Sequence, residues 1–118
     1  MQDCIFCKII SKEIAAEIIF EDDDFIVFKD IKPATPIHVL LVPKKHIISI
    51  AQIEESDREL MGRLIWLAKN IAEDLNISEK GYRLTFNVGE DGGQEVKHLH
   101  LHLMGGAKMG TETKIIKD

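Results

Sequence analysis

Apolar positions along the chain alternate between two periods. Between Cys4 and Ser11, Ile5, Phe6, Ile9 and Ile10 recur at helical spacing and predict a short amphipathic helix. Glu17 to Glu21 and Phe25 to Lys29 are short apolar runs on either side of the acidic turn Asp22-Asp23-Asp24, the pattern of a β-hairpin. Asp30 to Pro36 holds Pro33 and Pro36, which have no amide proton to donate, so this stretch is a loop. His38 opens a continuous apolar run through Val42 that Pro43 stops, as expected of a strand buried on both faces.

A long helix is predicted to start at Ser56, with Glu59 three residues on, so that each side chain satisfies an amide at the helix start. Over about 20 residues, Leu60, Leu64, Leu67, Ile71 and Leu75, flanked by Met61, Ala68 and Ala72, form one stripe facing the core. Gly62 and Trp66 project away from that stripe, near Asn70 and Glu73, so Trp66 marks either a partner surface or a contact with a loop of its own chain. Arg83 to Val88 and His98 to Met104 predict two further strands, joined by a turn containing Gly89, Gly92 and Gly93. The expected fold class is α+β, with a five-stranded, mostly antiparallel sheet, one long helix and one short one. The tail after Gly106 shows no pattern.

Composition narrows the function. With 118 residues, 45% hydrophobic and 30% charged, the chain is expected to be one domain over residues 1–118 with a packed core. A formal charge of -5 and a single lysine cluster at Lys44-Lys45 argue against a nucleic-acid partner. No apolar run approaches the ~20 residues of a membrane span, and the start Met-Gln-Asp-Cys-Ile-Phe-Cys lacks a signal peptide's basic opening and long apolar stretch. The expectation is a cytoplasmic protein with no membrane partner. A domain of this size hides only about two-thirds of its unfolded surface, which favours pairing with a second copy. In a reducing compartment Cys4 and Cys7 read as thiols, either metal ligands or a redox pair.

The richest chemistry lies in His98-Leu99-His100-Leu101-His102-Leu103. On a strand the three imidazoles line one face and the three leucines the other, with imidazoles ~6.6 Å apart at Cα. Histidine titrates near neutrality, so a row of them supplies a neutral nucleophile beside hydrogen-donating neighbours. Phosphorus chemistry suits it, because neutral imidazole attacks phosphorus covalently while adjacent donors stabilise the phosphoryl oxygens. The preceding turn, Asn87-Val88-Gly89-Glu90-Asp91-Gly92-Gly93-Gln94, has the flexibility to present amides to an anion.

These residues resemble the histidine-triad (HIT) nucleotide-binding proteins, whose signature alternates histidine with apolar residues and ends in two apolar positions. Phe28-Lys29-Asp30-Ile31, Pro36-Ile37-His38-Val39-Leu40, Pro43-Lys44-Lys45-His46 and Asp91-Gly92-Gly93-Gln94 are similar to the Hint branch, in order, over about residues 3 to 106. The resemblance implies a nucleotide hydrolase of the adenosine 5'-monophosphoramidase type, acting on AMP or GMP joined through nitrogen to an amine. His100 would be the nucleophile, forming a nucleotidyl-histidine intermediate, with its other ring nitrogen donating to a backbone carbonyl. His102 and His38 would hold the α-phosphate, with His98 completing the catalytic row. Asn87, Gly93, Gln94 and Glu95 would lie near phosphate and ribose, Asp30 would take the ribose hydroxyls, and Phe6, Ile9, Phe28, Ile31 and Leu40 would line the base pocket.

Two departures bear on specificity. Glu95 stands where the Hint pattern has serine or threonine near the leaving group, and the ending Thr113-Lys114-Ile115-Ile116-Lys117-Asp118 lacks the tryptophan-proline of animal Hint proteins. The Cys4-x-x-Cys7 spacing lets two thiolates share a tetrahedral zinc. Relatives that begin with a similar Cys-x-x-Cys place zinc on a Cys2His2 set, which implies Cys4, Cys7, His46 and His98 here. Four protein ligands leave no position open for substrate, so that zinc is structural and no catalytic metal is expected. The resemblance also implies a homodimer through the long helix and an edge strand. Dinucleoside polyphosphate hydrolysis, metal-assisted hydrolysis by the histidines, and a nucleotide-binding interaction protein with vestigial activity are the alternatives.

Overall fold

The apolar runs pair into one five-stranded sheet in the order β1-β2-β3-β5-β4. The structure is a computed structural model describing residues 3–116; the ends of the expected 1–118 domain, Met1, Gln2, Lys117 and Asp118, lie outside the described residues. The strands are β1 (Ile18–Glu21), β2 (Phe25–Lys29), β3 (Ile37–Pro43), β4 (Arg83–Thr85) and β5 (Leu101–Gly105). All four pairings are antiparallel, so the expected α+β sheet carries no parallel pair among the described residues.

Each face of the sheet has its own core. Phe25 and Val27 of β2, Val39 and Leu41 of β3, and Leu101 and Leu103 of β5 alternate onto one face. There they meet Leu64, Ala68, Ile71 and Ala72 of the long helix α2 (Arg58–Asp74). Ile26, Phe28, Leu40 and Val42 take the alternate positions and meet Phe6 and Ile9 of the short helix α1 (Ile5–Ile10). Strand β3 is therefore buried on both sides, as its unbroken apolar run predicts. No helix among the described residues is long and apolar enough to cross a membrane.

Three boundaries differ from the sequence expectation by two residues or more. The long helix is preceded by a 3-10 turn at Glu55–Asp57, and the reciprocal cap joins Glu54 and Asp57 rather than Ser56 and Glu59. Asp57 is drawn to that role because its carboxylate also accepts from Lys45 Nζ at 2.6 Å while its backbone stays buried at the turn. Strand β4 ends at Thr85 rather than Val88.

Strand β5 starts at Leu101 rather than His98. The register Leu41 to Leu101 and Leu40 to His102, continued, would set Leu99 opposite Pro43, which brings no amide to the ladder. The Leu99 amide turns instead to the Ile47 carbonyl at 2.6 Å. The alternation nevertheless continues through residues 98–100: Leu99 packs with Leu101 and Leu103 in the α2-side core, while the His98 and His100 rings contact Phe6 on the α1 side.

Candidate active site and metal cluster

Strand register brings the catalytic candidates together. Leu40 and His102 are direct partners across β3 and β5, and His38, two residues before Leu40, shares that face. The His38 and His102 rings meet at a centroid distance of 5.2 Å, and the His100 and His102 rings at 5.0 Å.

Hydrogen bonds settle which nitrogen of each ring holds the proton. The Ala34 amide donates to His38 Nδ1 at 3.0 Å, so the His38 proton is on Nε2. That Nε2–H donates to His102 Nδ1 at 2.9 Å, which leaves the proton of a neutral His102 on its Nε2. His100 Nδ1 lies 2.6 Å from the His98 carbonyl oxygen, which can only accept, so the free lone pair of His100 is on Nε2. A neutral His100 thus offers a lone pair beside a ring that offers an N–H.

Burial favours these neutral forms. His102 is pushed down to about 4, first by desolvation and then by the neighbouring His100 and His38 rings. Desolvation also lowers His100, against the opposing pull of its bond to the His98 carbonyl and of the carboxylates of Asp30 and Glu95. Asp30 faces His38 Nε2 across 3.5 Å and accepts the Lys32 amide at 2.8 Å. Asp30, His38 and His102 are close enough to hold a metal ion. The His38 to His102 contact, however, is a proton-filled hydrogen bond, which occupies the two nitrogens that would face the ion.

His98, expected both in the catalytic row and as a metal ligand, turns toward the cysteines. It is fully buried, its Nε2 donates to the Pro43 carbonyl at 2.7 Å, and its Nδ1 lies 3.3 Å from Cys4 Sγ and 3.6 Å from Cys7 Sγ. Both ring nitrogens are thus turned away from a phosphorus shared with His100 and His102. The chain leaves the ladder at Pro43, which lets the ring swing toward α1. His46 Nδ1 stands 3.3 Å from Cys7 Sγ, and the four ligand atoms of Cys4, Cys7, His46 and His98 lie within 4.8 Å of one another, a set that can hold a metal ion. Desolvation pushes His98 down to about 4 and lowers His46. Burial, followed by the neighbouring Cys4, raises the Cys7 thiol.

The remaining candidates separate into three groups. Phe6, Ile9, Phe28 and Leu40 are buried together, and Phe6 sets its ring edge-to-face on both Phe28 and His100 at 5.5 and 5.0 Å. Ile31 does not join them and stands 89% exposed in the loop after Asp30. Asn87 and Gln94 brace the glycine turn. Asn87 Nδ2 donates to the Gly92 carbonyl, Gln94 accepts from the Gly89 amide, and Gln94 Nε2 donates to the carbonyls of Ile48 and Val96. Gly93 adopts φ +77°, and a Cβ on Gly92 would lie 2.3 Å from the Val88 carbonyl oxygen, so both glycines are required by the backbone. Glu95 is exposed at the end of this turn. Pro43 O, His98 O and the Ala34 amide do much of the positioning, and main-chain groups leave no side-chain signal in a sequence.

An antiparallel sheet presents a neutral imidazole with a free lone pair beside a histidine N–H donor, an arrangement suited to nucleophilic hydrolysis in a small α+β protein. A family profile described as "Scavenger mRNA decapping enzyme C-term binding" matches residues 3–116. A protein of Escherichia coli K12 called purine nucleoside phosphoramidase is 41% identical over 109 residues, 92% of each chain. The crystal structure of a HIT family hydrolase from Legionella pneumophila superposes with a TM-score of 0.91 at 48% identity, covering 92% of this chain and 97% of that one. A HIT family hydrolase from Clostridium thermocellum gives 0.91 at 47% identity, covering 95% and 97%. The chain belongs to the histidine-triad (HIT) family of hydrolases.

Proposed function

We propose that this chain hydrolyses purine nucleoside phosphoramidates, AMP or GMP joined through nitrogen to an amine, by way of a nucleotidyl-histidine intermediate on His100. The observation that carries the reading is the 2.6 Å bond from His100 Nδ1 to the His98 carbonyl, which leaves Nε2 unprotonated and free to attack. In the first step the Nε2 lone pair bonds to the α-phosphorus and the phosphorus–nitrogen bond breaks. The departing nitrogen takes its proton from solvent and leaves as the amine, while His102 Nε2–H, its tautomer fixed by His38 Nε2–H, donates to a phosphoryl oxygen. Water then attacks phosphorus: its oxygen bonds to phosphorus as the bond to His100 Nε2 breaks, and its proton passes to solvent. Asp30, beside His38, is assigned to the ribose hydroxyls, and Phe6, Ile9, Phe28 and Leu40 to the wall of the base site. Asn87, Gly93 and Gln94 form the turn that presents amides to the phosphate, with Glu95 at the leaving amine. The similarity to the Escherichia coli protein supports the substrate class.

Zinc fits the Cys4, Cys7, His46 and His98 cluster. A tetrahedron built on Zn–S of about 2.3 Å and Zn–N of about 2.0 Å has sulfur–nitrogen edges of about 3.6 Å. The three sulfur–nitrogen contacts span 3.3 to 3.6 Å. The Pro43 carbonyl, by accepting from His98 Nε2, keeps the His98 Nδ1 lone pair free for a metal. When bound, zinc would tie α1 to the approach of β5, as a structural ion. A cytoplasmic homodimer joined through α2 and the edge strand β4 completes the reading; Trp66, 63% exposed on α2, then belongs to that interface.

The test is incubation of wild type and His100→Ala with adenosine monophosphate joined to an amine, following amine release. Wild type releases amine; the variant loses nearly all turnover and still binds nucleotide. Equal rates would reject His100 as nucleophile.

A further inference from the structure

The cysteine pair sits at one end of an unbroken chain of contacts that ends on the nucleophile. Cys4 and Cys7 hold His98 Nδ1 at 3.3 and 3.6 Å, the His98 carbonyl holds His100 Nδ1 at 2.6 Å, and Phe6, between the cysteines, packs on both histidine rings. Both cysteines are free and only half-buried. A groove of about 560 Å³, walled by Ile5, Ile48 and Val96 with His46 beside them, opens onto Cys4 from solvent.

We propose that Cys4 and Cys7 form a reversible disulfide that slackens His98 and so switches off His100. This rests on the metal and phosphoramidase readings above. The oxidant is hydrogen peroxide reaching Cys4 through the groove. The Cys4 sulfur attacks a peroxide oxygen, an S–O bond forms, the O–O bond breaks, and water leaves. Cys7 sulfur then attacks Cys4 sulfur, the S–S bond forms, the S–O bond breaks, and a second water leaves. Two thiols have lost two electrons and two protons, and one peroxide has become two waters. A disulfide offers no thiolate, so two of the four ligands vanish and a metal held by them is expelled. His98 Nδ1 loses its partners, and its backbone no longer presents the carbonyl to His100 in a fixed place.

The experiment uses the full-length zinc-loaded protein with one equivalent of hydrogen peroxide. Four readouts are followed together: zinc captured by a chromophoric chelator, free thiols, the downfield Nδ1–H proton resonance of His100, and phosphoramidate turnover. The expected result is one zinc released and two thiols lost per chain, disappearance of the His100 resonance, and at least a tenfold fall in turnover. Dithiothreitol with added zinc reverses all four. Cys4→Asp, which keeps a metal ligand but removes the sulfur that peroxide attacks, should hold its zinc and its own starting rate in peroxide. Thiol loss with the His100 resonance unchanged overturns the proposal, as does equal zinc loss from Cys4→Asp. A protein that takes up no zinc before oxidation rejects the metal reading, and one that cleaves no phosphoramidate when reduced rejects the activity reading. In either case thiol loss together with the His100 resonance still decides the switch.

Discussion

His100 gives its Nδ1 proton to the backbone carbonyl of His98 across 2.6 Å. That carbonyl cannot donate in return, so only Nε2 of a neutral His100 is basic. A nucleotidyl adduct trapped during turnover should therefore sit on Nε2 of His100 and not on Nδ1. Nitrogen-15 to phosphorus-31 coupling in labelled protein locates the bond, and an Nδ1 adduct would contradict the tautomer.

His38 accepts one proton at Nδ1 and donates another from Nε2. Its removal leaves His102 without the donor that fixes its tautomer, so His38→Ala should slow turnover about 100-fold, within the usual range for losing one donor that stabilises the transition state. Glutamine both accepts and donates, so His38→Gln should retain more activity than His38→Ala. Single-turnover rates at saturating substrate check the order; equal losses would mean that the relay adds nothing.

His98 and His102 are both held near 4 when folded, below the ~6.5 of an unfolded histidine. The unfolded chain then binds more protons than the folded one between these values, so stability falls as pH drops from about 6.5 toward 4. Below that window the lowered carboxylates of Asp57, paired with Lys45, and Glu21, paired with Lys12 and Lys44, push the same way. Melting temperatures of the metal-free protein at pH 7, 5.5 and 4.5 should decrease in that order. A flat profile would show that these rings are not desolvated.

Zinc bound to the folded cluster at about 100 times its dissociation constant would add about 2.7 kcal/mol, so chelation should lower the melting temperature by about 10 °C. His46→Ala should bind zinc more weakly, because it removes one of four ligands and no other donor among the described residues joins that 4.8 Å set. Metal analysis and calorimetry on the same samples test both; a chelator that removes zinc without moving the melt would detach the ion from stability.

Much of the site was legible because its determinants are periodic. The two-residue alternation in His98 to Leu103 placed the leucines in one core and the His98 and His100 rings against Phe6 on the other side of the sheet, and the Cys-x-x-Cys spacing with His46 and His98 marked the cluster. Extended backbone keeps that alternation even where it leaves the ladder, which is why a misjudged strand start did not misplace the rings. What the sequence concealed depends on main chain and on distant pairs. His98 reads from sequence as both a member of the catalytic row and a metal ligand, and nothing local reveals that Pro43 ends the ladder beside it and offers its carbonyl. The cap moved from Ser56 and Glu59 to Glu54 and Asp57 because Lys45, far away in sequence, claims Asp57. Gln94 and Asn87 bind their own loop with bonds that spacing does not foretell.

Pro43 stands opposite Phe25 at the end of β3, where the ladder between β3 and β5 gives out. An amino acid with a free amide there would invite β5 to zip two residues further and would lay His98 flat among its neighbours. The missing hydrogen of one imino acid thus parts the histidines: one ring is kept back beside the cysteines, and two stay together in the row ahead of it.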